Sequence, residues 1–186
     1  MKTVMAAAAL VALGGCATMD SGPASGGRYA AGHFRSEAVL HDAGGTTMGK
    51  AVVEQVGILG TASNIPALRM TIDVTGMTPG LHGVHVHMVG KCEPPDFATA
   101  GGHWNPTAHQ HGSMNPAGPH AGDLPNLDVG ADGRGHLEFT LMHATYEGLL
   151  DEDGAAVVVH AKPDDLATDP SGNSGGRVAC GVVAAL

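Results

Sequence analysis

Two stretches of this chain, Val89–Gly122 and Ala161–Gly176, show neither strand alternation nor helical periodicity. Structureless connections of that length are uncommon in a compact domain unless they carry function. Both are rich in Gly, Pro and polar residues, so they have little apolar surface with which to order themselves. Metal ligation would order them instead, because coordination supplies folding free energy that burial does not. The side chains needed for it are present. His85-Val86-His87 stands before the first stretch, His103, His111 and His120 lie inside it, Asp123 closes it, and His160 opens the second.

The rest of the chain reads as short strands separated by turn signals such as Thr78-Pro79-Gly80, Ala131-Asp132-Gly133 and Asp151-Glu152-Asp153-Gly154. Strands are expected at Glu37–Leu40, Lys50–Gln55, Ala67–Val74, Val84–Met88, Leu124–Val129, Gly135–Leu141, Ala155–His160 and Arg177–Ala184. No amphipathic helix is evident beyond one turn within Met142–Leu150. These features predict an all-β fold, an eight-stranded Greek-key β-sandwich or flattened barrel with two long metal-site loops. Aromatic residues make up only 3% of the chain, so the core must be built from aliphatic side chains. The formal net charge is −9 and no basic stripe is present, which excludes nucleic acid as a partner.

On a strand, residues two apart face the same side, so His85 and His87 can ligate one ion from a rigid base. The ligand residues sit in recurrent text: Gly80-Leu-His-Gly-Val-His-Val-His87, Gly101-Gly-His-Trp-Asn-Pro106, Gly118-Pro-His-Ala-Gly-Asp-Leu-Pro-Asn-Leu127 and Val158-Val-His-Ala-Lys-Pro-Asp-Asp165, closed by Arg177-Val-Ala-Cys-Gly181. From about Ser36 to the C-terminus this series resembles the copper/zinc superoxide dismutases.

The resemblance implies one copper and one zinc ion per subunit. Copper would be held by His85, His87, His103 and His160, and zinc by His103, His111, His120 and Asp123, with His103 bridging the two as an imidazolate. The eight-residue step from His103 favours His111 over His109 for zinc. Asp164 would link His85 to His111, His82 would be a hydrogen-bonding structural residue, and Cys92 would pair with Cys180. Arg177 would guide superoxide, converted to dioxygen and hydrogen peroxide while the bridging ring takes up and returns a proton. His33, His41, His136 and His143 match nothing in the family and read as surface residues. Asp164, Asp165 and Asp169 outnumber Lys162 in the second loop, which argues against strong lysine-based steering. A copper-binding module without turnover is the main alternative. A zinc hydrolase would need an open coordination position, which a four-ligand zinc set does not leave. The oligomeric state is not readable from the sequence.

At the N-terminus, Lys2 and the apolar run Val4–Leu13 are too short to span a bilayer and form a signal peptide over residues 1–15. Leu13-Gly14-Gly15-Cys16 resembles a bacterial lipobox, which implies cleavage before Cys16 and a lipid on its thiol. Ala17 in place of an aspartate then favours the periplasmic face of the outer membrane. Residues 16–33 are Gly/Ser-rich and read as a flexible tether, with the folded domain spanning 34–186. Lipidation of Cys16 leaves Cys92 and Cys180 as one pair in an exported, oxidising setting.

Overall fold

The computed structural model describes residues 34–57 and 66–186. The expected signal peptide, Cys16, the expected tether and His33 lie outside the described residues. Strands β1 (Arg35–His41), β2 (Thr47–Gly57) and β3 (Pro66–Val74) form an antiparallel meander. β4 (Gly80–His82) and β5 (Val84–His87) follow directly, then β6 (Leu127–Val129) and β7 (Gly135–Met142). After one helical turn, α1 (Tyr146–Leu149), come β8 (Ala156–His160), β9 (Arg177–Val182) and β10 (Ala184–Ala185). The strands join in the order β4-β6-β7-β3-β2-β1-β9-β8-β5, with β10 paired to β1. Because β4 and β5 end that path yet adjoin in sequence, the sheet curls into a nearly closed barrel.

The all-β prediction stands, but the strand count changes from eight to nine along the path. The extra strand arises at Gly83, where the chain switches partners: His82 pairs with Leu127 on β6, whereas Val84 pairs with Val159 on β8. A side chain at residue 83 would meet the Ser174 Cβ at 2.8 Å, so only glycine fits the closing point. The expected strand at Leu124–Val129 shortens to three residues, since Pro125 has no N–H to give a ladder. The one-turn reading of Met142–Leu150 holds, and α1 is capped by Thr145, whose hydroxyl accepts from the Gly148 N–H at 3.0 Å.

Alternation along the strands fills the barrel. Leu40, Val53, Leu68, Met70, Ile72, Val84, Val86, Leu127, Val157 and Val159 are fully buried there. Each such aliphatic side chain contributes roughly 1.5–3 kcal/mol relative to exposure. A smaller cluster of Phe97, Ala100, Ala156, Val158 and Cys180 lies outside the barrel, beneath the first long loop. There Cys92 and Cys180 are joined by a disulfide, as expected.

β5 pairs with β8 along one edge only. Its other edge is served by the loop: the Trp104 N–H donates to the Val86 carbonyl at 2.8 Å, the Val86 N–H to Gly122 at 2.9 Å, and the Met88 N–H to Gly102 at 3.0 Å. Two isolated bridges, His85 with Asp123 and His87 with His103, complete this edge.

Candidate metal centre

The Val-His-Val-His text of β5 puts Val84 and Val86 into the barrel and leaves His85 and His87 on the outer face, where the long loops bury them. His160 ends the neighbouring strand β8, and His103 comes from the loop bridged to His87. Among the described residues, five buried side-chain N or O atoms lack a hydrogen-bond partner. Four of them are His85 Nδ1, His87 Nε2, His103 Nε2 and His160 Nε2. Donor atoms of these four residues lie within 4.8 Å of one another.

The opposite nitrogen of each ring is fixed. His87 Nδ1 donates to the Gly101 carbonyl at 2.9 Å and His160 Nδ1 to the Gly175 carbonyl at 3.1 Å. A carbonyl can only accept, so these rings carry their proton on Nδ1 and turn a bare lone pair inward from Nε2. Burial pushes His87 down to about 2, His160 to about 3 and His103 to about 4, and it lowers His85 as well. Converging, unprotonated and unpartnered imidazoles are costly to bury. A nitrogen-preferring cation such as copper resolves that cost.

A second cluster adjoins the first. His103 Nδ1, His111 Nδ1 and His120 Nδ1 surround Asp123 Oδ1 at 2.9, 3.0 and 3.2 Å, and His120 Nδ1 lies 3.4 Å from His103 Nδ1. A tetrahedron with metal–ligand bonds of about 2.0–2.1 Å has edges of about 3.3 Å, so this set fits zinc. Distance alone also draws His85 into the group with His103, His111 and Asp123. His85 is excluded because Asp164 occupies its Nε2 while its Nδ1 belongs to the first cluster. His103 thus presents one nitrogen to each set.

Asp164 accepts from His85 Nε2 at 2.6 Å and from His111 Nε2 at 3.0 Å, one carboxylate oxygen each, which is the link the family resemblance implied. Burial would raise the carboxyls of both Asp164 and Asp123, but the bonds from His111, with His85 and His103 respectively, hold them well below the usual range. Burial would lower His111, yet its bonds to Asp123 and Asp164 raise it to about 9. Gly172, at φ +60°, makes room for Asp164: a Cβ there would lie 1.7 Å from Asp164 Oδ1.

Arg177 pairs with His160 at a register shift between β8 and β9. Its guanidinium donates to the Phe97 and Gly101 carbonyls, each at 2.6 Å, so the Gly101 carbonyl holds both His87 and Arg177. Burial lowers Arg177 somewhat, and Asp96 opposes that shift.

The structure brings together all seven candidate ligands, with Asp164 and Arg177 beside them. His109 stays exposed, its ring on the Pro119 carbonyl, while His111 is buried. His82 spans the carbonyls of His160 and Thr78 at 2.7 and 2.8 Å, and His41, His136 and His143 are exposed. Sequence reasoning missed Asn126, whose side chain accepts from the Asp164 N–H at 2.7 Å and donates to the Asp164 carbonyl at 2.9 Å. It also missed the carbonyls of Phe97, Gly101 and Gly175, which have no side-chain signature.

Fold and site define a class: an antiparallel β-barrel carrying, on its outer face, two adjoining ligand sets that share one histidine. Residues 47–183 match the family described as Copper/zinc superoxide dismutase (SODC). The chain belongs to this family. It is 47% identical over 104 residues to Superoxide dismutase [Cu-Zn] 1 of Aquifex aeolicus, a match covering 53% of this chain and 62% of that protein. It is 40% identical over 164 residues to Superoxide dismutase [Cu-Zn] of Deinococcus radiodurans, covering 78% and 88%. The crystal structure of a SOD-like protein from Bacillus subtilis superposes with a TM-score of 0.71 at 38% identity, over 78% of this chain and 96% of that one.

Proposed function

We propose that the protein dismutates superoxide, with copper held by His85, His87, His103 and His160 and zinc by His103, His111, His120 and Asp123. The observation that supports this most is the set of four unpartnered imidazole nitrogens beside a guanidinium pinned by two carbonyls. Bound copper would supply one-electron cycling, so that two superoxide ions and two protons become dioxygen and hydrogen peroxide. The residues do the rest. His103 keeps Nδ1 in the zinc set and uses Nε2 to hold and return a proton. Asp164 and the Gly101 and Gly175 carbonyls fix ring orientation, which partners of this kind contribute to metal sites generally. Arg177 attracts and orients the anion in an otherwise acidic protein.

The test of the enzyme reading is Arg177→Gln. Copper and zinc contents should stay at the wild-type level while the second-order rate of superoxide removal falls about tenfold, or about 1.4 kcal/mol of barrier. Salt dependence should weaken with it, because the screened charge is gone. An unchanged rate at full metal content would make Arg177 structural only.

A copper-binding module without turnover is the second reading, favoured by the likeness to the SOD-like protein of Bacillus subtilis. Metal content and dismutation measured on one wild-type preparation separate the two. Full metal with no turnover selects the module.

The shared ring makes its own demand. His103→Ala should lower zinc retention and alter the copper absorption spectrum together, whereas His160→Ala should weaken copper and spare zinc. Normal zinc in the first variant would rule out a bridge.

We also propose that Cys16 carries a lipid that anchors the protein to the outer membrane, facing the periplasm, from the lipobox-like Leu13-Gly14-Gly15-Cys16. Cys16→Ser should move the protein from the membrane fraction to the soluble one. A wild type already soluble, with a different N-terminal residue, would end that reading.

A further inference from the structure

The second long loop has so far contributed one carboxylate to the centre, Asp164. Another, Asp169, also reaches it. Asp169 Oδ1 accepts from the His111 backbone N–H at 2.7 Å and lies 3.8 Å from His120 Nε2. These are two of the histidines whose Nδ1 atoms converge on Asp123. In the sequence Asp169 has no role beyond the acidic charge that argues against strong lysine-based steering; the geometry gives it a different task.

Segment 164–169 lies along segment 111–115 and is bonded to it repeatedly. The Met114 N–H donates to the Leu166 carbonyl at 2.8 Å, and Asn115 Nδ2 to the Ala167 carbonyl at 3.3 Å. Asp164 grips the His111 ring from one end of this seam. Asp169 grips the same residue's backbone from the other end and adds the charge nearest to the distal nitrogen of His120. Asp165, between them, does neither. It accepts from the N–H groups of Ala167 and Thr168 and from Asn173 Nδ2, all within its own loop.

We infer that Asp169 is a positioning residue for the zinc half of the centre, fixing where His111 sits and how the His120 ring is turned, and therefore how tightly zinc is retained. A histidine that ligates through Nδ1 carries a proton on Nε2, and a carboxylate facing that proton orients the ring and raises its basicity. His120 has no other carboxylate at its Nε2 among the described ion pairs. None of the copper-set nitrogens contacts Asp169, so the effect should be confined to zinc. The inference rests on the zinc assignment proposed above, and the experiment separates the two.

Zinc and copper affinities would be measured by competition against a chromophoric chelator on wild type, Asp169→Ala, Asp169→Asn and Asp165→Ala, with no reference to turnover. Asp169→Ala is expected to loosen zinc at least tenfold. Asp169→Asn, which keeps an acceptor for the His111 N–H but removes the charge, should loosen it less. Copper affinity should be unchanged in both, and Asp165→Ala should hold zinc as wild type does. Thermal unfolding of the metal-free variants checks that all four are folded. Asp169→Ala leaves the His111 N–H without its acceptor and should lower that midpoint by a few degrees while the transition stays cooperative, whereas Asp169→Asn, which keeps an acceptor, should lower it less. Wild-type zinc affinity in Asp169→Ala, an equal loss of copper, or an equal loss of zinc in Asp165→Ala would each overturn the inference. A wild type that binds no zinc would sink the zinc assignment and this role together, whereas a zinc-binding wild type with an unaltered Asp169→Ala sinks this role alone.

Discussion

Metal-free protein with its disulfide intact is expected to lose about 4 kcal/mol of stability per pH unit as it is acidified from roughly pH 6 to pH 4. Burial depresses His87, His103 and His160 to about 2, 4 and 3, whereas the same rings in the unfolded chain titrate near 6.5. Over most of this window the unfolded state binds close to three protons that the folded state refuses, the His103 share fading as the pH nears 4, so stability is present above the unfolded value and is lost as the pH falls. His85, also lowered by burial, pushes the same way. His111 does not offset the loss. Raised to about 9 by Asp123 and Asp164 against the effect of burial, it is protonated in both states below pH 6, and its contribution fades only as the pH rises through 9. Asp123 and Asp164 keep their contributions until the pH falls below the ordinary carboxylate range near 3.8. Two pH units of this slope amount to about 8 kcal/mol, enough to exhaust a domain in the lower half of the ordinary range of about 5–15 kcal/mol. Trp104, buried next to His103, reports the transition by fluorescence, with circular dichroism as a second probe. Metal-loaded protein should resist to lower pH, since the cation competes with protons for the same lone pairs. A metal-free sample whose unfolding free energy is the same at pH 6 and pH 4 would contradict the expectation.

Replacing both Cys92 and Cys180 by serine should produce the second large effect. The bridge spans a sequence separation of 88, for which chain entropy gives about 4–5 kcal/mol. For a domain of this size that corresponds to a fall in melting temperature of about 10–20 °C. The loss should also reach the site. The bridge ties the loop bearing Phe97 and Gly101 to β9, and the carbonyls of those residues hold Arg177. The double variant should therefore melt earlier by calorimetry and, on the proposed function, remove superoxide more slowly than wild type when metal-loaded. Equal melting temperatures would show that the loop is held by its other contacts alone. Changing both cysteines avoids leaving a free thiol to complicate the comparison.

How much of this was legible in the sequence depends on where each piece of information resides. The candidate ligands could be read because imidazole and carboxylate side chains carry the chemistry themselves, and because Val-His-Val-His states its two faces in four letters. Most strands were legible for the same reason, through alternation. β4 was not: its three residues gain meaning only when Gly83 lets the chain change partners, a tertiary event. The groups that aim the rings were equally hidden. The carbonyls of Gly101 and Gly175 belong to residues without side chains, and Asn126 acts on the backbone of a residue 38 positions away. Asp169 was visible as a charge, but whether a loop charge faces solvent or a histidine is decided by how two long loops lie against each other.

The outer edge of β5 carries one further consequence. A strand with one unpaired side is a template on which another chain can add itself. Here the segments carrying Gly102, His103 and Trp104 and carrying Gly122 and Asp123 occupy that side as a makeshift strand, and each of these contacts is made at or beside a candidate ligand. Whatever keeps those segments in place therefore also keeps the barrel from recruiting a neighbour. Order in the candidate metal-site loops and cover for this strand edge are, for this molecule, one property.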